Sequence, residues 1–413
     1  MDYASILQGI TPSAQDEEKL QVVIREMTEK LTQAAERAGV DVVVVPGGST
    51  AKGTYLAGNF DIDMFVRFKT DQENISDLLE LMLVDLGITS ERVHGSRDYY
   101  TFTQDEYFFE IVPVKYVEKP DEVENVTDMS PLHVFWVKEH LTPELKNDIR
   151  LAKQFCKAIQ VYGAESYING ISGHVLDILV IFYKGFENLL TAASTWGERT
   201  IIDPEEKHAD VMNELNKSKL VSPLVVIDPI DPERNAAAAL SSERYNAFRK
   251  YAKAFLAEPT ESYFELPHFD KALLEKKKQN DEDLFVIEVT PQQGKKDVVI
   301  TKVLKVYEFL HRHLRLYDFK VRVADWFVDT TTCYIYFFVD KNNLSDTMVR
   351  EGPPLENFQG VERFKEVHGK EVYEENGRLH VHVRRDFVDA GVCLRHLLQN
   401  EFVTERVATY KLN

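Results

Sequence analysis

One stretch limits what this 413-residue chain can fold into more than any other: Gly47-Gly48-Ser49-Thr50-Ala51-Lys52-Gly53-Thr54-Tyr55-Leu56, followed by Asn59-Phe60-Asp61-Ile62-Asp63-Met64-Phe65-Val66. It reads as a strand, a tight glycine turn, a short helix and a second strand. Alternation along that second strand puts Asp61 and Asp63 on one face and sends Ile62 and Met64 into the core behind them. Two adjacent carboxylates repel unless a cation lies between them. A Gly-Ser turn opening a helix offers backbone N–H groups and a hydroxyl to phosphate oxygens. Carboxylates suited to Mg²⁺, with a phosphate cradle about a dozen residues upstream, form the layout of a nucleotidyl-transfer site.

The surrounding pattern is mixed α/β. Leu20, Val23, Ile24, Met27 and Leu31 fall at helical spacing within residues 13–38, and Gly39 ends that helix. Residues 41–45 read as a buried strand, 72–86 as a helix, and Tyr99–Thr103 with Tyr107–Val114 as a hairpin around Gln104-Asp105-Glu106. Glu110 stands in this last strand among apolar neighbours. It either faces solvent from an edge strand or joins Asp61 and Asp63 as a third ligand. From 129 to 256 the pattern is helical, with Ser130 as a candidate N-cap before Pro131, a helix over Asn147–Gln160 and one apolar helix over Ser172–Leu190. Past Pro259 the chain reads as α+β. Expected strands are Phe285–Val289, Val298–Ile300, Phe319–Ala324, Thr332–Val339 and Leu379–Val383. Expected helices are Lys302–Leu316, Asn357–His368 and a closing helix at Ala390–Asn400.

Composition narrows the class. No apolar run is long enough to span a bilayer, the first residues do not read as a signal peptide, and a cytoplasmic protein is expected. Cys156, Cys333 and Cys393 lie far apart, with no metal-ligand spacing, and are expected to be reduced and buried. The net charge of −19 divides unevenly, −18 for residues 1–240 and −1 for 241–413. The near-neutral part holds basic runs that include Lys276, Lys277, Lys302 and Arg312. Each run is either a solvated helix face or a nucleic-acid contact that weakens with salt.

Gly48-Ser49 followed by Asp61-x-Asp63 resembles the polymerase-β-like nucleotidyltransferases. Further motifs follow in order: Ser130-Pro131-Leu132-His133, Asn147-Asp148-Ile149-Arg150-Leu151-Ala152-Lys153, Tyr162-Gly163-Ala164-Glu165, Gly170-Ile171-Ser172-Gly173, Ile227-Asp228-Pro229-Ile230-Asp231-Pro232-Glu233-Arg234-Asn235-Ala236-Ala237 and Val349-Arg350-Glu351-Gly352-Pro353-Pro354. The series is similar to the archaeal (class I) CCA-adding enzymes over about residues 40–395. This resemblance implies a multidomain α+β protein: a nucleotidyltransferase head over 1–128, a helical neck that binds nucleotide over 129–257, and an α+β body and tail over 258–413 that holds tRNA. The implied activity is template-independent addition of C, C and A to the tRNA 3′ end from CTP and ATP, with Mg²⁺ and release of pyrophosphate. The alternatives are addition of A only or extension of another RNA end, and a catalytically weak RNA-binding relative. No membrane partner is expected, and a homodimer is left open.

The resemblance also implies roles. Asp61 and Asp63 would hold both ions, and Glu110 the ion at the 3′-hydroxyl. Gly48, Ser49 and Lys52 match triphosphate contacts of the turn, and His133, Lys153 and Tyr162 match phosphate and sugar contacts from the neck. Each of the last three has an ordinary alternative: a core or cap histidine, a solvated helix lysine, a helix-closing tyrosine. Arg234 matches a base reader, its fork of donors suiting acceptors on C or A. Its alternative is a salt bridge to Asp228 or Asp231, with Asn235 capping or orienting the turn. Lys276, Lys277, Lys302 and Arg312 are the candidate RNA contacts. Two departures stand out. Family members carry aspartate at the third ligand, where Glu110 is about an ångström longer, and arginine is common at Lys52.

Overall fold

Capping explains the first elements of the computed structural model, which describes residues 1–69, 74–120, 123, 125–329 and 332–413. After a short helix at Ala4–Ile10 (α1), the Ser13 hydroxyl accepts from the Asp16 N–H and Gly39 closes at φ 68°, setting the ends of Ala14–Ala38 (α2). Then come Val42–Pro46 (β1), the one-turn helix Gly48–Lys52 (α3), Asp61–Phe68 (β2), Ile75–Asp85 (α4), Glu91–Val93 (β3), Tyr99–Gln104 (β4) and Tyr107–Lys115 (β5). Residues 72–73, expected to open the helix before Asp85, lie outside the described residues.

The sheet order is β1-β2-β5-β4-β3, with β2 and β5 parallel and the other pairs antiparallel. β5 is therefore central, and the edge-strand alternative for Glu110 falls. One face buries Ile62, Met64 and Val66 against Leu20, Ile24, Met27 and Leu31 of α2 and Leu79 and Met82 of α4. Each such side chain contributes roughly 1.5–3 kcal/mol on burial. The opposite face carries Asp61 and Asp63, then Phe65, which packs with Val112 and Val114 against Val134 of the next helix.

That helix, Ser130–His140 (α5), places Ser130 in its first turn beside Pro131, and Ser130 is not its N-cap. Pro143–Ala158 (α6) follows. The expected single apolar helix is two, Gly173–Tyr183 (α7) and Phe186–Thr195 (α8). Lys184 enters the left-handed region at φ 56° and Gly185 at φ 133°, so the chain turns there and buries both apolar faces. Thr200–Ile202 (β6) pairs in parallel with Leu224–Val226 (β7), flanking Val211–Glu214 (α9), and Ser242–Ala257 (α10) packs on α8. Phe155, Phe186, Phe248, Phe255 and Phe264 form the aromatic heart of this layer.

The chain divides into two compact units, Met1–Pro267 and His268–Asn413. The second holds Lys271–Lys277 (α11), Glu282–Pro291 (β8), Lys296–Leu316 (α12), Val321–Val328 (β9), Cys333–Asp340 (β10), Thr347–Pro354 (β11), Phe358–His368 (α13), Val372–Glu375 (β12), Arg378–Arg384 (β13), Ala390–Leu398 (α14), Glu401–Thr404 (α15) and Val407–Leu412 (β14). Its sheets run β14-β8-β10-β9 and β11-β13-β12. Val298–Ile300 is helix, contrary to expectation. Strand propensity differs by only about 1 kcal/mol across residues, whereas Val299, Ile300, Val303, Val306 and Leu310 are all buried on one helical stripe. The helix at Ala390 does not close the unit either, because β14 follows it and pairs with β8. The three cysteines are buried and unbridged.

Candidate active site

The glycine turn sits directly on the acidic strand. Gly47 N–H donates to the Asp63 carbonyl at 2.7 Å. Gly48 adopts φ +56°, and a Cβ there would overlap the Asp63 carboxylate. Only glycine combines that conformation with so close an approach. Register places Asp63 opposite Glu110 on the parallel neighbour, so the two share a face with Asp61. Asp63 lies at the base of a cleft of about 450 Å³ and Asp61 at its exposed rim. Burial pushes the Asp63 carboxyl up to about 6, the Asp61 charge adds to the rise, and Lys52 opposes it. A pair under that strain, in an all-oxygen donor set of two aspartates and a glutamate, fits a hard divalent cation.

The cleft also takes in Gly48, Ser49, Lys52, Lys153 and Tyr162, so most of the expected nucleotide contacts lie around the carboxylates. Lys153 is not a solvated helix residue. It is 3% exposed and donates to the Thr54 carbonyl and hydroxyl at 3.1 and 3.0 Å, joining α6 to the end of the glycine turn. Burial lowers its ammonium to about 8, partly opposed by Asp177. Lys52 Nζ lies 2.5 Å from Asp177 Oδ2, and Lys153 Nζ 3.8 Å from Oδ1 of the same carboxylate. Tyr162 follows the end of α6 in an isolated bridge to Ile171.

His133 and Arg234 are not part of the cleft lining. They meet on Asp228, which is fully buried: His133 Nε2 is 2.8 Å from Oδ1 and Arg234 Nη1 is 3.1 Å from Oδ2. The salt bridge expected as the alternative role of Arg234 therefore exists. Burial raises the Asp228 carboxyl, but the neighbouring imidazoles of His133 and His174 outweigh it and hold it well below the ordinary carboxylate range. His174 connects the two regions. It lines the cleft, its ring lies 4.5 Å from that of His133, and its Nε2 is 3.6 Å from Asp228. His133, His174 and Asp228 offer atoms within 4.8 Å of one another, as a metal site would. Yet Oδ1 already accepts from the N–H groups of Ile230 and Asp231, and Oδ2 from Arg234. The carboxylate is committed to a charge network.

Sequence reasoning missed His174 and Asp177. Both lie on one face of α7, three residues apart, directly after the Gly170–Gly173 motif. A lone carboxylate inside so apolar a helix was the available signal.

In the second unit, Lys276 and Lys277 are exposed at the end of α11, and Arg312 is exposed on α12 beside Tyr307, His311 and Arg315. Lys302 donates to the Gln292 side chain at 2.8 Å. Among the described residues no helix is long and apolar enough to cross a membrane.

Three family models match in order: the nucleotidyltransferase domain over residues 27–156, the second domain of tRNA nucleotidyltransferase over 147–265, and the C-terminal domain of the CCA-adding enzyme over 284–409. A CCA-adding enzyme of Nanoarchaeum equitans is 34% identical over 350 residues, covering 83% of this chain and 84% of its own. One from Pyrobaculum aerophilum is 31% identical over 417 residues, covering 97% and 94%. Among solved structures, the Cid1 RNA terminal uridylyl transferase superposes with a TM-score of 0.52 at 12% identity, over 64% of this chain and 97% of its own, a likeness of fold.

Proposed function

This chain belongs to the CCA-adding enzymes, and on that premise we propose how its own residues carry out addition of C, C and A to the 3′ end of tRNA from CTP and ATP. The observation that carries the reading is the gathering of the glycine turn, the acidic strand and two buried lysines from separate segments around one cleft. Ser49 and the turn would take the β- and γ-phosphates, with Lys52, Lys153 and Tyr162 closing on them from the floor. Asp61, Asp63 and Glu110 would hold Mg²⁺, which supplies charge neutralisation at the phosphates and a more acidic 3′-hydroxyl. The acceptor oxygen then forms its bond to the α-phosphorus as the bond to pyrophosphate breaks. Glu110 stands where the resemblance implies an aspartate, and its register opposite Asp63 supports the same role. Arg234 would present its outward donors to the base, being 39% exposed while Asp228 is fully buried. Basic residues of the second unit, Lys276, Lys277 and Arg312 among them, would contact tRNA, and we place the activity in the cytoplasm.

The test uses tRNA transcripts ending at the discriminator base, after C and after CC, each given one labelled nucleotide with Mg²⁺. The expected result is C, C and then A in order. Use of ATP alone on the CC-ended transcript would restrict the activity to A addition, and binding without incorporation would overturn the reading. Arg234→Ala should cost roughly 1–3 kcal/mol of discrimination against UTP and GTP, the usual size of a bidentate base contact. An unchanged nucleotide profile would leave Arg234 with the salt bridge alone.

A further inference from the structure

We propose that Asp228 is a positioning residue that locks base recognition to triphosphate binding, its one carboxylate holding the Arg234 guanidinium and the His133 imidazole in fixed relation. The inference rests on the reading of Arg234 and His133 as nucleotide contacts.

Asp228 is completely buried just past β7, where a carboxylate persists only if its oxygens are satisfied. Oδ1 accepts from Ile230 N–H at 3.0 Å and Asp231 N–H at 3.3 Å, so the loop that carries Arg234 is folded around this carboxylate. The loop is closed again through its backbone: Asp228 N–H donates to the Arg234 carbonyl at 3.0 Å, and Arg234 N–H to the Asp231 carbonyl at 2.9 Å. Asn235 fastens it to β7, its Oδ1 accepting from Val226 N–H at 3.0 Å. With the loop fixed, the carboxylate also holds one side chain from a distant part of the chain and one from the loop itself, with His174 Nε2 3.6 Å from Oδ2. His133 comes from α5, 95 residues earlier, at 2.8 Å, and Arg234 lies at 3.1 Å.

An unanchored arginine has much rotamer freedom to lose when it meets a base. Anchored through Nη1, it keeps its other donors in a fixed plane and pays that loss in advance. The same anchor holds the His133 imidazole, whose ring lies 4.5 Å from that of His174 in the cleft lining, so that the anchor reaches the triphosphate side through this pair. A nucleotide of the right size and edge then satisfies both at once, and a wrong base meets donors that cannot swing to suit it.

Asp228→Asn preserves shape and the oxygen that caps the turn, but it removes the charge and can set an amide donor against the guanidinium. On a transcript ending at the discriminator base, the ratio of UTP to CTP incorporation should rise about tenfold and the KM for CTP by a similar factor. kcat for CTP should fall only a few-fold. A merely structural role would lower activity for all nucleotides alike. In an Arg234→Ala background, Asp228→Asn should add nothing to the lost selectivity. Asp228→Ser, whose hydroxyl can still cap the turn, decides the matter if the Asn variant does not fold, and thermal midpoints are read for both. A folded Asp228 variant with wild-type selectivity, or effects that multiply with those of Arg234→Ala, overturns the inference. If Arg234→Ala itself leaves selectivity unchanged, the reading of Arg234 falls first. If it lowers selectivity and Asp228→Asn does not, only the inference falls.

Discussion

Asp63→Asn should abolish nucleotide incorporation, by about a thousandfold or more, while making the metal-free protein more stable at pH 8. The catalytic loss follows from removing a carboxylate asked to hold the cation, since stabilising charge at a transferring phosphoryl group is worth several kcal/mol and each 1.36 kcal/mol is tenfold in rate. The gain in stability follows from strain. The Asp63 carboxyl is pushed from the ordinary aspartate value of 3.8 up to about 6, by burial first and by Asp61 second. A raised carboxyl pKa means ionisation is costlier in the folded chain than in the unfolded one. That cost is fully present above pH 6 and vanishes below about pH 4, where both states are protonated. Two units at 1.36 kcal/mol each make it about 3 kcal/mol. Chelated protein is melted across pH 4–8: the variant should gain at the upper end and match wild type at the lower, with tRNA binding unchanged within about twofold. Retained incorporation would remove Asp63 from the ligand set. A lower midpoint at pH 8 would mean that Asp63 is stabilising as an anion.

What was legible in the sequence was local. The i, i+2 spacing of Asp61 and Asp63 fixes their shared face wherever the strand goes, and Gly39 and Ser13 do their work within a turn of themselves. Partners far apart in the chain were not legible. Nothing near Lys52 announces a carboxylate 125 residues away, yet that pairing decides whether the lysine is free or held. Glu110 needed the strand order, because only a central β5 turns an ambiguous acidic residue into the neighbour of Asp63. Val298–Ile300 misled for the opposite reason: three β-branched residues state a weak local preference, and burial against the sheet of the second unit overrules it. The motifs identified residues of the site, and the long-range contacts that hold those residues in place had to come from the fold.

The second large effect is expected at one of those contacts, Asp177→Asn. Asp177 is fully buried between Lys52 at 2.5 Å and Lys153 at 3.8 Å. Burial alone would raise its carboxyl, but the charges of Lys52 and then Lys153 overcome this and hold it below the ordinary aspartate value of 3.8. Its stabilising contribution is therefore fully present above about pH 4 and is lost as pH falls through its folded pKa. Removing one partner of a buried ion pair costs about 3–5 kcal/mol, because the charge left behind stays out of water. Here two ammonium groups would be left facing each other. Lys153 is already lowered to about 8 by burial, with Asp177 opposing, and without that carboxylate it should fall further. A lysine with a lowered folded pKa destabilises the fold while it is charged, so the deficit should be greatest near pH 7 and narrow as pH rises toward 10. The KM for CTP and ATP should rise about tenfold at pH 8, where Lys153 of the variant is largely neutral. Adding Lys52→Met removes one of the stranded charges and should recover part of the stability without restoring nucleotide affinity. Denaturant melts at pH 7 and pH 10, with KM measured alongside, separate these outcomes. An Asp177→Asn protein with wild-type stability and wild-type KM would show that the two lysines are held by something other than this carboxylate.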